Sequence, residues 1–164
     1  MIVIVMGVTG AGKTTVAKAL VALTGWHFAE GDDFHSEANR KKMHAGIPLN
    51  DEDRAPWLES LHQVMLGWNQ NGESGVLTCS ALKQKYRDTL TAGISFDAYR
   101  FVLLEAPISV LQEHLADRKG HFMNPELLKS QIATLEDPKD AIHIEVTRPA
   151  QELARQILDQ IAER

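Results

Sequence analysis

Eight residues near the start of the chain, Gly7-Val8-Thr9-Gly10-Ala11-Gly12-Lys13-Thr14, have the types and spacing of GxxxxGK[ST]. They follow a β-branched run, Ile2 to Met6, and open a helix-like stretch, the setting in which this pattern binds phosphate. Glycines let a backbone wrap closely round an anion, so that successive N–H groups and the positive end of the next helix face the same oxygens. The spacing places Lys13 to reach the β- and γ-phosphates of ATP and Thr14 to hold Mg²⁺ through its hydroxyl, with Thr15 counted in the same cradle. A chance glycine turn before a helix is the bland alternative, and the strand–loop–helix context weighs against it.

The loop alone does not say what is done with the nucleotide. An NKxD segment that would read guanine is missing from the sequence, and the one DxxG candidate, Asp117 to Gly120, sits late and at a helix end. Motor and transporter ATPases usually place an acid at the end of a buried apolar strand, whereas Val76-Leu77-Thr78-Cys79-Ser80 ends without one. What remains is a compact kinase whose acceptor is a bound small molecule.

The elements that must position this chemistry follow from size and pattern. At 164 residues the chain suits one hydrophobic core, so a single domain over 1–164 is expected. A formal net charge of −5 argues against a non-specific nucleic-acid binder, which needs a basic face to displace counterions. The lone Cys79 sits in an apolar run, permits no intrachain disulfide, and reads as buried and inert in a reducing compartment. Met1 to Met6 has no basic flank and reads as a first strand and not a signal peptide; no run approaches the roughly 20 apolar residues a membrane span needs. A cytoplasmic protein with no membrane partner is the expectation.

Strands are expected at 2–6, 26–31, 75–79, 99–104 and 142–146. Helices are expected at 13–24, 81–92, 107–118 and 125–135, with a last amphipathic one carrying Leu153, Ile157, Leu158 and Ile161. Another helix starts at Asn50, a capping residue followed by Asp51, Glu52 and Asp53, and places Trp57, Leu58, Leu61, Val64, Met65 and Trp68 on one stripe. This alternation implies an α/β fold, a three-layer parallel sheet of about five strands with helices on both faces. The polar, basic stretch 116–125 reads as a lid.

Beyond the phosphate loop, four segments carry a resemblance. They are Glu30-Gly31-Asp32-Asp33-Phe34-His35; Asn39 to Trp57, which includes Lys42-Met43-His44-Ala45-Gly46-Ile47-Pro48-Leu49-Asn50-Asp51-Glu52-Asp53-Arg54; Cys79-Ser80-Ala81-Leu82-Lys83 with Tyr86-Arg87-Asp88; and Arg118-Lys119-Gly120-His121-Phe122. Together they make the chain resemble the gluconate kinases, over residues 2 to about 135. The resemblance implies a fold like nucleoside monophosphate kinases and shikimate kinase, and transfer of the ATP γ-phosphoryl group to gluconate. It also implies a possible homodimer, to which the C-terminal helix would contribute an interface.

Asp32, at the carboxyl end of the second strand, is placed to orient the acceptor hydroxyl and take its proton, and to touch Mg²⁺ through water. The alternative for Asp32, and more so for Asp33, is a solvated turn acid or a cap for a helix from Ser36. A gluconate carboxylate calls for a fixed cation, with Arg54 first and Lys83 and Arg87 next; as plain surface charges the last two would serve no ligand. His35 is either a hydroxyl partner or a loop residue. Arg118, Lys119 and His121 fall in the lid, where Arg118 either closes over the triphosphate or balances its own helix end. By similarity to shikimate kinase, Arg118 and Pro149 would sandwich adenine. The rivals are another small-metabolite kinase, for shikimate or a nucleoside monophosphate, and a nucleotide-dependent switch or binding module.

Overall fold

The structure is a computed structural model that describes residues 1–117 and 125–163. Ile2–Met6 forms β1, buried at every position, as a strand covered on both faces must be. It pairs in parallel with β3 (Gly75–Thr78) on one side and with β4 (Tyr99–Glu105) on the other. β2 (His27–Glu30) joins outside β3 and β5 (Ile142–Glu145) outside β4, giving a five-stranded parallel sheet of order β2-β3-β1-β4-β5. That is the expected α/β sheet. The carboxyl ends of β1, β2 and β3 lie side by side, with Val5 level with Thr78 and Glu30 level with the same residue.

Helices α1 (Lys13–Thr24), α2 (Glu37–His44), α3 (Asp51–Gln70) and α4 (Gln84–Thr91) are followed by α5 (Ile108–Asp117), α6 (Pro125–Thr134) and α7 (Ala150–Ala162). α3 opens on a reciprocal capping box: Asn50 accepts from the Asp53 amide at 2.7 Å, and Asp53 accepts from the Asn50 amide at 3.0 Å. Its apolar stripe then buries Trp57, Leu58, Leu61 and Met65 in the core.

Two differences from the sequence reading have physical causes. The helix expected at 81–92 begins only at Gln84, because Ala81 has φ 47, a left-handed conformation outside any α-helix. α2 enters the sequence reading only as a helix from Ser36 capped by Asp32 or Asp33, and not from its own pattern: only Asn39 on it is buried, so it carries no apolar stripe to read. α7 packs Leu153, Ala154 and Ile157 into the same core as α1. Among the described residues no helix is long and apolar enough to cross a membrane.

Candidate active site

The phosphate loop emerges from β1 and turns into α1 at Gly12, which caps the helix with φ 93, a conformation that favours glycine. Lys13 lies back over the loop, its Nζ donating to the carbonyls of Gly7 (2.9 Å) and Val8 (3.2 Å). Two helices are tied to the same loop. His114 of α5 donates from Nδ1 to the Gly10 carbonyl at 2.6 Å, and Gln131 of α6 accepts from the Thr9 amide at 2.7 Å.

Thr14 Oγ1 donates to Glu30 Oε2 at 2.6 Å, and the other carboxylate oxygen accepts from Thr78 Oγ1 at 2.7 Å. The Thr78 hydroxyl in turn accepts from the Gly31 amide at 3.0 Å. Gly31 is required here, since a Cβ on it would sit 2.0 Å from the Thr78 carbonyl oxygen. The close approach of the β2 and β3 ends thus sets a carboxylate beside the hydroxyl of the loop threonine. Hydroxyl and carboxylate oxygens are the donors a hard divalent ion takes, and Mg²⁺ needs only one or two of them besides phosphate and water.

Next to this pair opens a cleft of roughly 750 Å³, solvent included, walled by Gly10, Lys13, Asp32, His35, Arg54 and Trp57 together with Ser80 and Gln131. Asp32 sits in the 3₁₀ turn Gly31–Phe34 that continues β2. The turn is braced by Arg40, which donates to the Asp33 carbonyl at 3.1 Å and the His35 carbonyl at 3.3 Å. Asp32 does not cap the following helix, because Ser36 does, accepting from the Asn39 amide at 3.1 Å. Asp33 is not part of the cleft wall.

His35 stacks on Trp57 with ring centroids 4.1 Å apart, and Trp57 Nε1 donates to the Gly31 carbonyl at 2.7 Å. Burial pushes the His35 pKa down from 6.5 to about 4; Asp32 pulls it up, while Arg40 and Arg54 push it further down. The imidazole is therefore neutral at physiological pH, with Nδ1 accepting from Asn39 Nδ2 at 3.4 Å and Nε2 left as the N–H. Its companion Arg54 extends from the first turn of α3, where Nη1 donates to the Tyr86 hydroxyl at 2.7 Å.

A family described as an AAA domain matches residues 2–138. A probable gluconokinase of Rattus norvegicus is 42% identical, with 96% of each chain covered. A gluconokinase of Gluconobacter oxydans is 48% identical over 84% of this chain and 76% of its own. The crystal structure of a gluconokinase from Sinorhizobium meliloti superposes with a TM-score of 0.86 at 40% identity, over 98% of this chain and 91% of that one. The chain belongs to the gluconokinase family.

Within this gluconokinase fold a second recess adjoins the phosphate loop. Thr15 lines it together with Ala11, Gly12, His114, Arg148 and Ala150. Pro149, expected against adenine, is the residue that caps α7 between the last two. Arg118 and His121, with most of the expected lid, lie outside the described residues.

Two expected acceptor residues are placed elsewhere. Arg87 is neither a surface charge nor part of the cleft wall: it is 2% exposed, and its guanidinium donates to the carbonyls of Ala81 (2.7 Å) and Glu136 (3.0 Å). These bonds hold the left-handed turn at Ala81, just after Ser80 of the cleft. Lys83 pairs with Asp51 at 3.4 Å and stands over the Tyr86 ring, 5.6 Å from its centroid. Sequence reasoning put Trp57 in the core only, and assigned Glu30, Tyr86, His114 and Gln131 no role in the site. For Glu30 a signal existed, an acid ending a strand, but its link to Thr14 depends on strand order.

Proposed function

We propose that this chain transfers the γ-phosphoryl group of ATP to the terminal hydroxyl of D-gluconate, giving 6-phospho-D-gluconate. The observation that carries the reading is the cleft itself, whose lining brings together Lys13, the phosphate loop, Asp32 and Arg54. The phosphate loop and Lys13 hold the polyphosphate and neutralise charge on the group in transfer. Asp32 orients the acceptor hydroxyl in line with that group and takes its proton as the new O–P bond forms. Neutral His35 offers its Nε2 N–H to a hydroxyl of the sugar acid. Arg54 offers the remaining N–H groups of its guanidinium to the carboxylate.

Thr14 and Glu30, with Asp32 beside them, are the residues that would hold Mg²⁺, which supplies charge neutralisation on the phosphates when bound. Arg118 and His121 enter the reading as lid residues that close over the bound substrates. One sheet and one core cluster support a single kinase domain over 1–164. A cytoplasmic location fits the lone thiol Cys79, which burial raises to about 12 and so keeps un-ionised. Association into a homodimer is carried over from the family resemblance and is read by light scattering.

An ATP-coupled assay across gluconate, shikimate and AMP tests the reading. Turnover is expected with gluconate; turnover with shikimate or AMP alone would transfer the assignment to another small-metabolite kinase.

A further inference from the structure

Arg54 belongs to a chain of contacts that leads away from the cleft. Its Nη1 donates to the Tyr86 hydroxyl at 2.7 Å, and that hydroxyl donates its one proton to Asp51 Oδ1. Asp51 is also bonded to Lys85, and Lys83 stands 3.4 Å from it. Tyr86 is 4% exposed, and its ring lies beneath the guanidinium, 5.2 Å from centroid to Cζ. α3 and α4 are thereby joined at the point where α3 presents Arg54.

The order of the partners has a chemical meaning. A phenol has a single proton, and the Asp51 carboxylate takes it, so only the oxygen lone pairs remain for Arg54. Donation to a carboxylate makes that oxygen a stronger acceptor. Arg54 is therefore held in direction by a neutral group, and it forms no ion pair with any described residue. A carboxylate in the place of the phenol would fix the guanidinium equally well but would cancel its charge and compete with an anionic ligand for the same fork. The Asp51 charge is instead compensated by Lys85 and Lys83.

We propose that Tyr86 is the positioning residue for recognition of the acceptor's carboxylate: its hydroxyl, fixed by Asp51, aims an unneutralised Arg54 into the cleft. This rests on the reading of Arg54 given above. Tyr86 touches no substrate and acts only through Arg54.

Tyr86→Phe keeps the ring under the guanidinium and removes only the oxygen. The expected result is a rise in KM for gluconate of about tenfold, with kcat and KM for ATP within about twofold of the parent. Inhibition by D-glucitol, the same carbon chain without the carboxylate, should change by less than about twofold. Asp51→Asn, which leaves the phenol in place, should show a smaller rise in the same constant. An unchanged KM for gluconate in Tyr86→Phe, or a parallel loss for gluconate, glucitol and ATP, overturns the proposal. ¹⁵N-resolved exchange of the Arg54 side-chain protons in ligand-free protein reads the same contact without turnover. Faster exchange in Tyr86→Phe supports the contact and an unchanged rate refutes it, whereas failure of the parent enzyme to phosphorylate gluconate counts against the functional reading alone.

Discussion

Thr14 and Glu30, sixteen residues apart in sequence, are joined by a 2.6 Å hydrogen bond at the root of the phosphate loop. The threonine hydroxyl that would face Mg²⁺ is thus already oriented, and a carboxylate lies behind it. Groups that orient a metal ligand typically matter by 10–100-fold in metal affinity or activity. Glu30→Gln should therefore lower kcat by about 10–100-fold at fixed ATP and raise the Mg²⁺ concentration needed for half-maximal rate. A Mg²⁺ titration matching the parent enzyme would remove Glu30 from the site.

The roles of Lys13 and Asp32 separate in kinetics. Lys13→Ala loses neutralisation of the phosphates and should abolish transfer. Asp32→Asn keeps the shape of the acid but cannot accept the hydroxyl proton, so kcat should fall by about 10²–10⁴ while ATP binding changes little. Calorimetric titration with a non-hydrolysable ATP analogue, set beside steady-state rates, measures both halves. Near-normal kcat in Asp32→Asn would contradict its assignment as base.

His35 gives stability a defined pH dependence. Its folded pKa of about 4 lies below the ordinary 6.5, so between these values the unfolded chain takes up a proton that the folded chain refuses. Stability should therefore rise with pH from 4 to 6.5 and be fully present above 6.5. His143 has the opposite sign: although burial lowers its pKa, the Glu105 carboxylate and Pro138 carbonyl raise it on balance, so its contribution is full below 6.5 and fades as pH rises past its raised value. Asp51, held down by Lys85 and Tyr86, and Asp53, held down by Lys42, add stability above the ordinary 3.8 that is lost as pH falls. Urea midpoints across pH 3–8 should show His35→Gln flattening the slope between 4 and 6.5 and sparing the acid limb.

Arg87 is expected to matter for folding and not for acceptor affinity. Arg87→Met leaves the buried Ala81 carbonyl without its guanidinium partner and removes the bond to the Glu136 carbonyl, a loss of about 1–3 kcal/mol for the one unsatisfied buried group. Urea denaturation should show that loss, with KM for gluconate at a permissive temperature within about threefold of the parent. A stable variant with a greatly raised KM for gluconate would restore Arg87 to the cleft.

The central strands could be read from the sequence because a parallel strand buried on both faces writes a continuous apolar run such as Ile2 to Met6, whereas the edge strand β5 was legible as an alternation, Ile142-His143-Ile144-Glu145. α2 could not be read in either way, since its contacts are polar: Asn39 donates to the Asp53 carbonyl at 2.8 Å and Lys42 pairs with the Asp53 carboxylate. The phosphate loop was legible because one contiguous motif builds it. Glu30 was not, because its partner Thr14 lies on another element and the two meet only once β3 has inserted between β1 and β2. Arg87 misled for a related reason. A guanidinium four residues from Lys83 reads as a solvated helix face, and only the left-handed turn at Ala81 supplies the carbonyl that buries it.

The most direct test is to incubate the protein with ATP, Mg²⁺ and D-gluconate and to locate the transferred phosphate by ³¹P–¹H correlation NMR. Formation of ADP in step with a phosphate ester on the terminal carbon of gluconate is the predicted result. ADP formation no faster than without gluconate, or phosphate on any other position, would contradict a cleft in which Asp32 presents that hydroxyl to the phosphate loop.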